Sequence, residues 1–516
     1  MTMIDRTPTA RTLALAAIAG LAAWAGCKRG GDHHAATPAG DAALAAAAGD
    51  AGATVADGDA PERWGGRIQV PPEVPLEFEL RLRCGPPPSA VLAIPAQQLA
   101  PTPVVDVTCT AEEIKFVLAL PGMSDEAKAR FELERAADGT AHGVLHQLGR
   151  DLRVDMRRLA DGEEIGAAPA RPQNPKPPFP YVDRAASYAS ADGTTLAGTL
   201  SVPPGGGRHP AVVLITGTGT QDRDETLFGH KPFWVLADHL ARAGVAVLRV
   251  DDRGAGGSGG DTGSVGLGPK VEDVVAGMAW LATQPDIDPA RIGLVGHSEG
   301  GVIAPMVAAR AAPGAPPVAF MVLWGAPGVP GTEIAAHQVE LLGTAAGMAG
   351  PALAARVAST RRLNQLAVDG ADEPTLRAAL NEELDRLAAL SGETLDDASR
   401  AREIAASLPP LLAEASRSFL GTDPAPYLRE VRCPVLALWG SLDLQVDPDQ
   451  NQGPLRAALA DDADVTTEVL PGLNHLLQPA QRGTIDEYAT IETTMAPAAL
   501  DRITGWVRAH AGVAAP

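Results

Sequence analysis

Basic residues are in short supply. Against 63 Asp and Glu, the 516-residue chain carries 42 Lys and Arg, a formal net charge of −21. This surplus opposes the phosphate neutralisation on which nucleic-acid binding rests, which excludes nucleic acid as a partner, and it discourages simple adhesion to anionic lipid. Membrane attachment would need an inserted or covalent anchor. Cysteine is scarce too, with four residues, and no Cys/His cluster has metal-ligand spacing, since His33-His34 lies in a low-complexity tract. No metal or cofactor is expected. Aromatic residues make up 4% and alanine is heavily used, a compositional bias that points to no function.

What is present begins at the N-terminus. Arg6 and Arg11 precede an apolar run from Leu13 to Trp24, too short for a comfortable transmembrane helix and suited to a secretory signal over residues 1–26. Trp24-Ala25-Gly26-Cys27 resembles a bacterial lipoprotein box, in which Cys27 is lipidated after cleavage, with Trp24 where leucine is usual. Ala23-Trp24-Ala25 also fits ordinary signal cleavage, which would release a soluble exported form. The expectation is an exported bacterial protein, lipid-anchored in the cell envelope or periplasmic. Residues 27–60, rich in Ala, Gly and Asp without a period, read as a flexible tether. In an oxidising compartment Cys84 and Cys109 could pair, although sequence does not show that their geometry permits it. Cys433, just before an apolar strand, reads as a buried free thiol.

The chain is too long for one ordinary core. Residues 61–169 read as a β-rich domain: LEFELRLR alternates apolar and polar residues, and VVDVT, IKFVLAL, RFELER and HGVLHQL look like further strands, with His142 and His146 as strand residues. Residues 170–182 form a proline-rich extended linker. From 181 to 516 the apolar strands AVVLI, VAVLRV, RIGLV, VAFMVLW and PVLALWG alternate with helical stretches, the rhythm of an α/β domain with a mostly parallel, doubly wound sheet. Residues 331–424 interrupt that rhythm with helical periodicity and read as a cap inserted between two strands, over the strand ends where open α/β sheets bind ligands.

Gly-x-Ser-x-Gly occurs twice, around Ser258 and Ser298. With 55 glycines and 15 serines, a chance match is expected in about one of six such chains, so context has to decide. The strand RIGLVG precedes Ser298 and the helix EGGVIAPMVAARAA follows it, as a nucleophile turn requires. Ser258 lies in a loop with eight glycines between Asp251 and Gly268 and reads as a turn residue.

A serine hydroxyl needs a base to take its proton and an acid to orient that base, in the chain order Ser, Asp or Glu, His. Only His337, His475 and His510 follow Ser298. His337 starts the cap and His510 lies on the last helix, whereas His475 follows the strand VTTEVL. Asp443 lies just beyond PVLALWG, 145 residues after Ser298 and 32 before His475; Asp447, Asp449 and Asp461 lie further from a strand end. An oxyanion would be met by the N–H of Glu299 and by one from the loop LITGTGTQDRDE, that of Thr218 first and Gly219 second. The charged run Asp222 to Glu225 reads as ion pairs holding that loop, and His230 as a residue that packs a loop or lines the pocket.

LITGTGTQDRDE, GHKPFWVLADHLARAGVAVLRVDDRGAGGSGG, GHSEGGVIAP, GSLDLQV and PGLNHLLQPA resemble successive blocks of the EstD-type carboxylesterases, α/β-hydrolases near the cinnamoyl esterases and serine aminopeptidase-like hydrolases. The blocks cover most of 181–516, and WGGRI begins a domain similar to that family's N-terminal extension. TGTGT stands where the family more usually has a GSG run. The resemblance implies the α/β-hydrolase fold and a serine esterase; joined to the secretory signal and the triad order, the expectation is an exported enzyme that acts on a small-molecule ester through an acyl-enzyme. Ser298, Asp443 and His475 would be its catalytic triad, and Asp251-Asp252-Arg253-Gly254 a structural segment. Two alternatives stay open: an exported serine peptidase, with Glu299 or the Asp222 to Glu225 run receiving a peptide amine, and an inactive surface binding protein. Oligomeric state is not legible.

Overall fold

The computed structural model describes residues 61–70, 74–95, 99–119, 128–147, 150–160, 162–163, 165, 170–261, 265–310, 314–392, 394–462 and 464–513. The expected signal peptide, tether and Cys27 lie outside the described residues. The chain divides into two compact units: residues 61–170 with 397–406, and residues 171–396 with 407–513.

The first unit is a nine-stranded antiparallel sheet: β1 (Glu62–Val70), β2 (Val74–Arg83), β3 (Ser89–Ile94), β4 (Leu99–Pro103), β5 (Val105–Cys109), β6 (Glu113–Leu118), β7 (Ala129–Arg135), β8 (Thr140–Gln147) and β9 (Arg150–Arg158). The order is β4-β3-β2-β1-β9-β8-β7-β6-β5. Strand β7 alternates buried and exposed residues, the pattern of a sheet with one covered face. Phe78 on β2 and Phe131 on β7 lie four strand steps apart, roughly 19 Å on a flat sheet, yet their ring centroids are 5.6 Å apart. The sheet therefore curls around one core, which Trp64, Phe78, Phe116 and Phe131 fill. Cys84 and Cys109 are joined by a disulfide.

The second unit holds an eight-stranded sheet: β10 (Val182–Ala189), β11 (Thr195–Val202), β12 (His209–Ile215), β13 (Ala246–Val250), β14 (Ile287–His297), β15 (Met321–Trp324), β16 (Val435–Gly440) and β17 (Val465–Leu470). Its order is β10-β11-β13-β12-β14-β15-β16-β17. β10, β11 and β13 pair antiparallel and all the rest parallel. Strands β15 and β16 are buried at every position because a core covers each face of the sheet. Helices α1 (Pro232–Arg242) and α12 (Pro497–His510) cover one face, and α2 (Leu267–Ala282), α3 (Gly300–Ala308) and α10 (Pro448–Ala458) the other. This is the α/β-hydrolase fold. Between β15 and β16 the described residues form α4 (Gly331–Ala345), α5 (Gly350–Val368), α6 (Glu373–Ser391), α7 (Asp397–Leu412), α8 (Glu414–Leu420) and α9 (Ala425–Leu428); α11 (Ile485–Tyr488) follows β17.

The proline-rich segment is fastened along its length to the second unit. Arg171 donates to the carbonyls of Ile491 and Phe228 at 2.8 and 2.7 Å, and Gln173 Oε1 accepts from the N–H groups of Thr494 and Met495 at 2.6 and 3.0 Å. Tyr181 adds a 2.8 Å bond to Asp238. Proline content signalled an extended backbone correctly, but the intervening Arg, Gln and Tyr side chains fasten it to the second unit.

Candidate active site

The geometry begins at the turn from β14 to α3. Ser298 has a φ of 54°, left-handed backbone that residues other than glycine seldom adopt. The turn is tight enough to demand glycine on both sides: a Cβ at Gly296 would stand 2.2 Å from the Gly300 carbonyl oxygen, and one at Gly300 2.3 Å from that of Ile215. The Ser298 N–H is fixed by the Trp324 carbonyl at 2.8 Å.

His475 sits in the loop after β17. Asn474 shapes that loop, its Oδ1 accepting from the N–H groups of Leu476 and Gln478, both at 3.0 Å. The Trp324 indole donates to the His475 carbonyl at 3.0 Å. His475 Nδ1 lies 2.7 Å from Asp443 Oδ2, and Asp443 Oδ1 accepts from the Gln445 and Val446 amides at 2.9 and 2.8 Å. With Asp443 as acceptor, the imidazole proton resides on Nδ1 and the Nε2 lone pair is left available. The His297 ring, one residue before Ser298, has its centroid 4.7 Å from that of His475. No hydrogen bond joins Ser298 Oγ to His475 among the described residues, and catalytic pairs are commonly this loose until substrate binds.

The loop after β12 faces the same turn, because a Cβ at Gly217 would lie 3.3 Å from Ser298 Cβ. Its Gly217 N–H is engaged by Glu225 Oε1 at 2.7 Å. The Thr218, Gly219 and Glu299 amides have no partner within the chain among the described residues, so both predicted donor positions are free to meet an oxyanion.

The remaining residues singled out from sequence fall elsewhere. Ser258 Oγ donates to the Asp251 carbonyl at 2.7 Å and accepts from the Ala197 amide at 2.9 Å, which ties a turn to β11. His337 Nε2 pairs with Asp447 at 2.7 Å, and His510 stacks on Trp506. His230 is buried between Thr494 Oγ1 and the Tyr488 carbonyl at 2.9 and 3.0 Å; burial, with Arg171 nearby, pushes its pKa down to about 4, so it is neutral packing. Burial likewise pushes the free Cys433 thiol up to about 12.

Four residues at the site were given no part in it by the sequence, although the ion pairing expected of the Asp222 to Glu225 run is present. Glu225 and His297 form a buried pair, Oε1 to Nδ1 2.8 Å, with His297 against Trp324. Lys270 on α2 pairs with Glu299 at 2.5 Å. Asp252, after β13, accepts from Thr216 Oγ1 and the Gln221 amide at 2.7 and 2.8 Å. Burial pushes its pKa up to about 7 against the opposing Lys270 ammonium. His297 and Glu225 stood inside quoted motifs, and their adjacency to the serine motif and the oxyanion loop was a usable signal. Lys270 offers none, since only the packing of α2 brings it there.

Sheet order, nucleophile turn and loop positions are those of the α/β-hydrolase fold, and the sequence is similar to the EstD-type esterases. Residues 192–446 match the family described as X-Pro dipeptidyl-peptidase (S15 family), a span that holds Ser298 and Asp443 and stops before His475. Esterase EstD of Thermotoga maritima is 33% identical over 132 residues, 25% of this chain and 31% of that protein. An uncharacterized Mycobacterium tuberculosis protein is 35% identical over 124 residues, 24% of this chain and 40% of that one. The chain thus spans between 31 and 40% of the length of these curated relatives. The Pyrococcus furiosus esterase structure aligns over 64% of this chain and 91% of its own, at 16% identity and a TM-score of 0.37.

Proposed function

We propose that the protein is an exported serine esterase. The observation that carries this reading is the Asp443–His475 hydrogen bond beside a serine held at positive φ, with unengaged amides on either side. Ser298, deprotonated by His475 Nε2, attacks the ester carbonyl, and the Glu299 and Thr218 amides receive the oxyanion while Asp443 orients the imidazolium. His475 protonates the leaving alcohol. Water deprotonated by the same nitrogen then cleaves the acyl-enzyme, releasing the acid and restoring Ser298.

The S15 match makes a peptidase the competing reading. That reading needs an acidic group for a peptide amine, and the groups that suggested it are engaged. Glu299 is paired with Lys270, Arg223 with Asp251, Asp224 with Arg249, and Glu225 with His297, while Asp222 accepts from the Asp224 and Thr226 amides. This favours esters. The α4–α9 insertion is proposed as the cap that limits acyl or alcohol size. The Cys84–Cys109 disulfide supports export to an oxidising compartment, where a lipid on Cys27 would anchor the chain.

A fluorophosphonate should label Ser298 in the wild type, and Ser298→Ala should lose ester turnover by about 10⁴-fold or more with an unchanged melting profile. Turnover of aminoacyl or X-Pro amides but not of p-nitrophenyl esters would overturn the ester reading. Near wild-type turnover by Ser298→Ala would overturn the triad.

A further inference from the structure

Glu225 is the least expected residue of the site. It is 2% exposed and its backbone has a φ of 52°, a conformation a glutamate adopts only when its surroundings dictate it. One oxygen does two jobs: Oε1 accepts from the Gly217 amide at 2.7 Å and meets His297 Nδ1 at 2.8 Å. The first partner begins the oxyanion loop, and the second directly precedes Ser298. No other side chain described here bonds to both. There is also no slack, since a Cβ at Gly217 would lie 3.2 Å from Glu225 Oε1 and 3.3 Å from His297 Nδ1. The other oxygen, Oε2, and His297 Nε2 are buried with no hydrogen-bond partner among the described residues. A buried pair that leaves two polar atoms unsatisfied is a costly way to hold a loop, which points to a demand for position that packing alone does not meet.

We propose that Glu225 is a positioning residue for the oxyanion hole: by joining the Gly217 amide to His297, it fixes the distance between the Thr218 N–H and Ser298. The inference rests on the esterase reading. Its role is geometric, so what matters is an acceptor oxygen at that point and the length of the side chain carrying it.

Glu225→Gln keeps the oxygen and should retain kcat within about threefold. Glu225→Asp draws the acceptor back by about one bond length, and Glu225→Ala removes it. An ångström of misplacement can cost on the order of 10²-fold, and loss of an oxyanion donor 10²–10³-fold. The expected result on a p-nitrophenyl ester is therefore a fall in kcat of about 10-fold or more for Glu225→Asp and about 10²-fold or more for Glu225→Ala. KM should stay within about threefold, because the ground-state ester makes little use of the hole. Binding of an alkyl boronic acid, whose tetrahedral adduct fills the hole, should weaken in parallel with kcat. Should Glu225→Ala fail to fold, the Glu225→Asp and Glu225→Gln pair carries the test. Unchanged kcat in Glu225→Asp, a rise in KM alone, or equal losses in Glu225→Gln and Glu225→Asp would each overturn the inference. Absence of turnover and labelling in the wild type would remove it together with the esterase reading, whereas an active wild type with an equally active Glu225→Asp would remove it alone.

Discussion

Asp252 links the site to pH. Its carboxyl titrates near 7 in the folded protein, mainly because of burial, against an ordinary value near 4 in the unfolded chain. The folded state thus holds a proton that the unfolded state has released. The stability this group contributes is complete below about pH 4 and is lost as pH rises through about 7. Asp252→Asn removes the titration, yet its amide can still accept from the Gln221 N–H and donate to Thr216 Oγ1. Denaturant midpoints measured from pH 4 to 8 should decline less steeply for Asp252→Asn than for the wild type, and parallel profiles would refute the assignment. Asp252 lay in plain view in the sequence as part of a structural segment, but its chemistry did not. Its burial and its proximity to Lys270 and Glu299 come from three separate stretches of chain, and no local pattern encodes such a meeting.

At the level of elements, legibility followed periodicity. The strands leading to Ser298 and Asp443 are continuous apolar runs, and reading them was enough to locate both residues at strand ends. Strands β10 and β11 were not recognised because VDRAASYA and TLAGTLSV are rich in Ala, Ser and Thr and partly exposed, the mark of an antiparallel edge. In the first unit, β1, β3, β4 and β9 show no clear strand pattern either, being interrupted by paired glycines, short or heavily charged. The nucleophile turn shows what periodicity cannot reveal, namely how little room remains between β12, β14 and α3. Gly300→Ala would drive a Cβ into the Ile215 carbonyl and part the loop from the helix. It should lower thermal stability by on the order of 1–3 kcal/mol and reduce fluorophosphonate labelling of Ser298. Wild-type stability and labelling in this variant would mean that the turn has room for a Cβ that the 2.3 Å approach denies it.

Across the whole molecule, the first unit's core shares no residue with the two cores of the second, which implies two folding units that a single unfolding free energy would misdescribe. The disulfide closes a loop with a sequence separation of 25 within the first unit alone, which a chain-entropy treatment values at about 3.5 kcal/mol. Reduction, or Cys84→Ser with Cys109→Ser, should therefore lower one calorimetric transition and leave ester turnover at temperatures below it unchanged. Loss of turnover in step with the shifted transition would show that the second unit's stability is coupled to that of the first. The segment from Arg171 to Tyr181 bears on where the hydrolase can be cut free. An expression boundary placed at the first strand, β10, would strip hydrogen bonds from the backbone of Phe228, Ala489, Ile491, Thr494 and Met495. The smallest autonomous form of the second unit therefore begins upstream of Arg171, and proteolysis of the native protein should spare a stretch whose proline content would otherwise mark it as the natural place to nick.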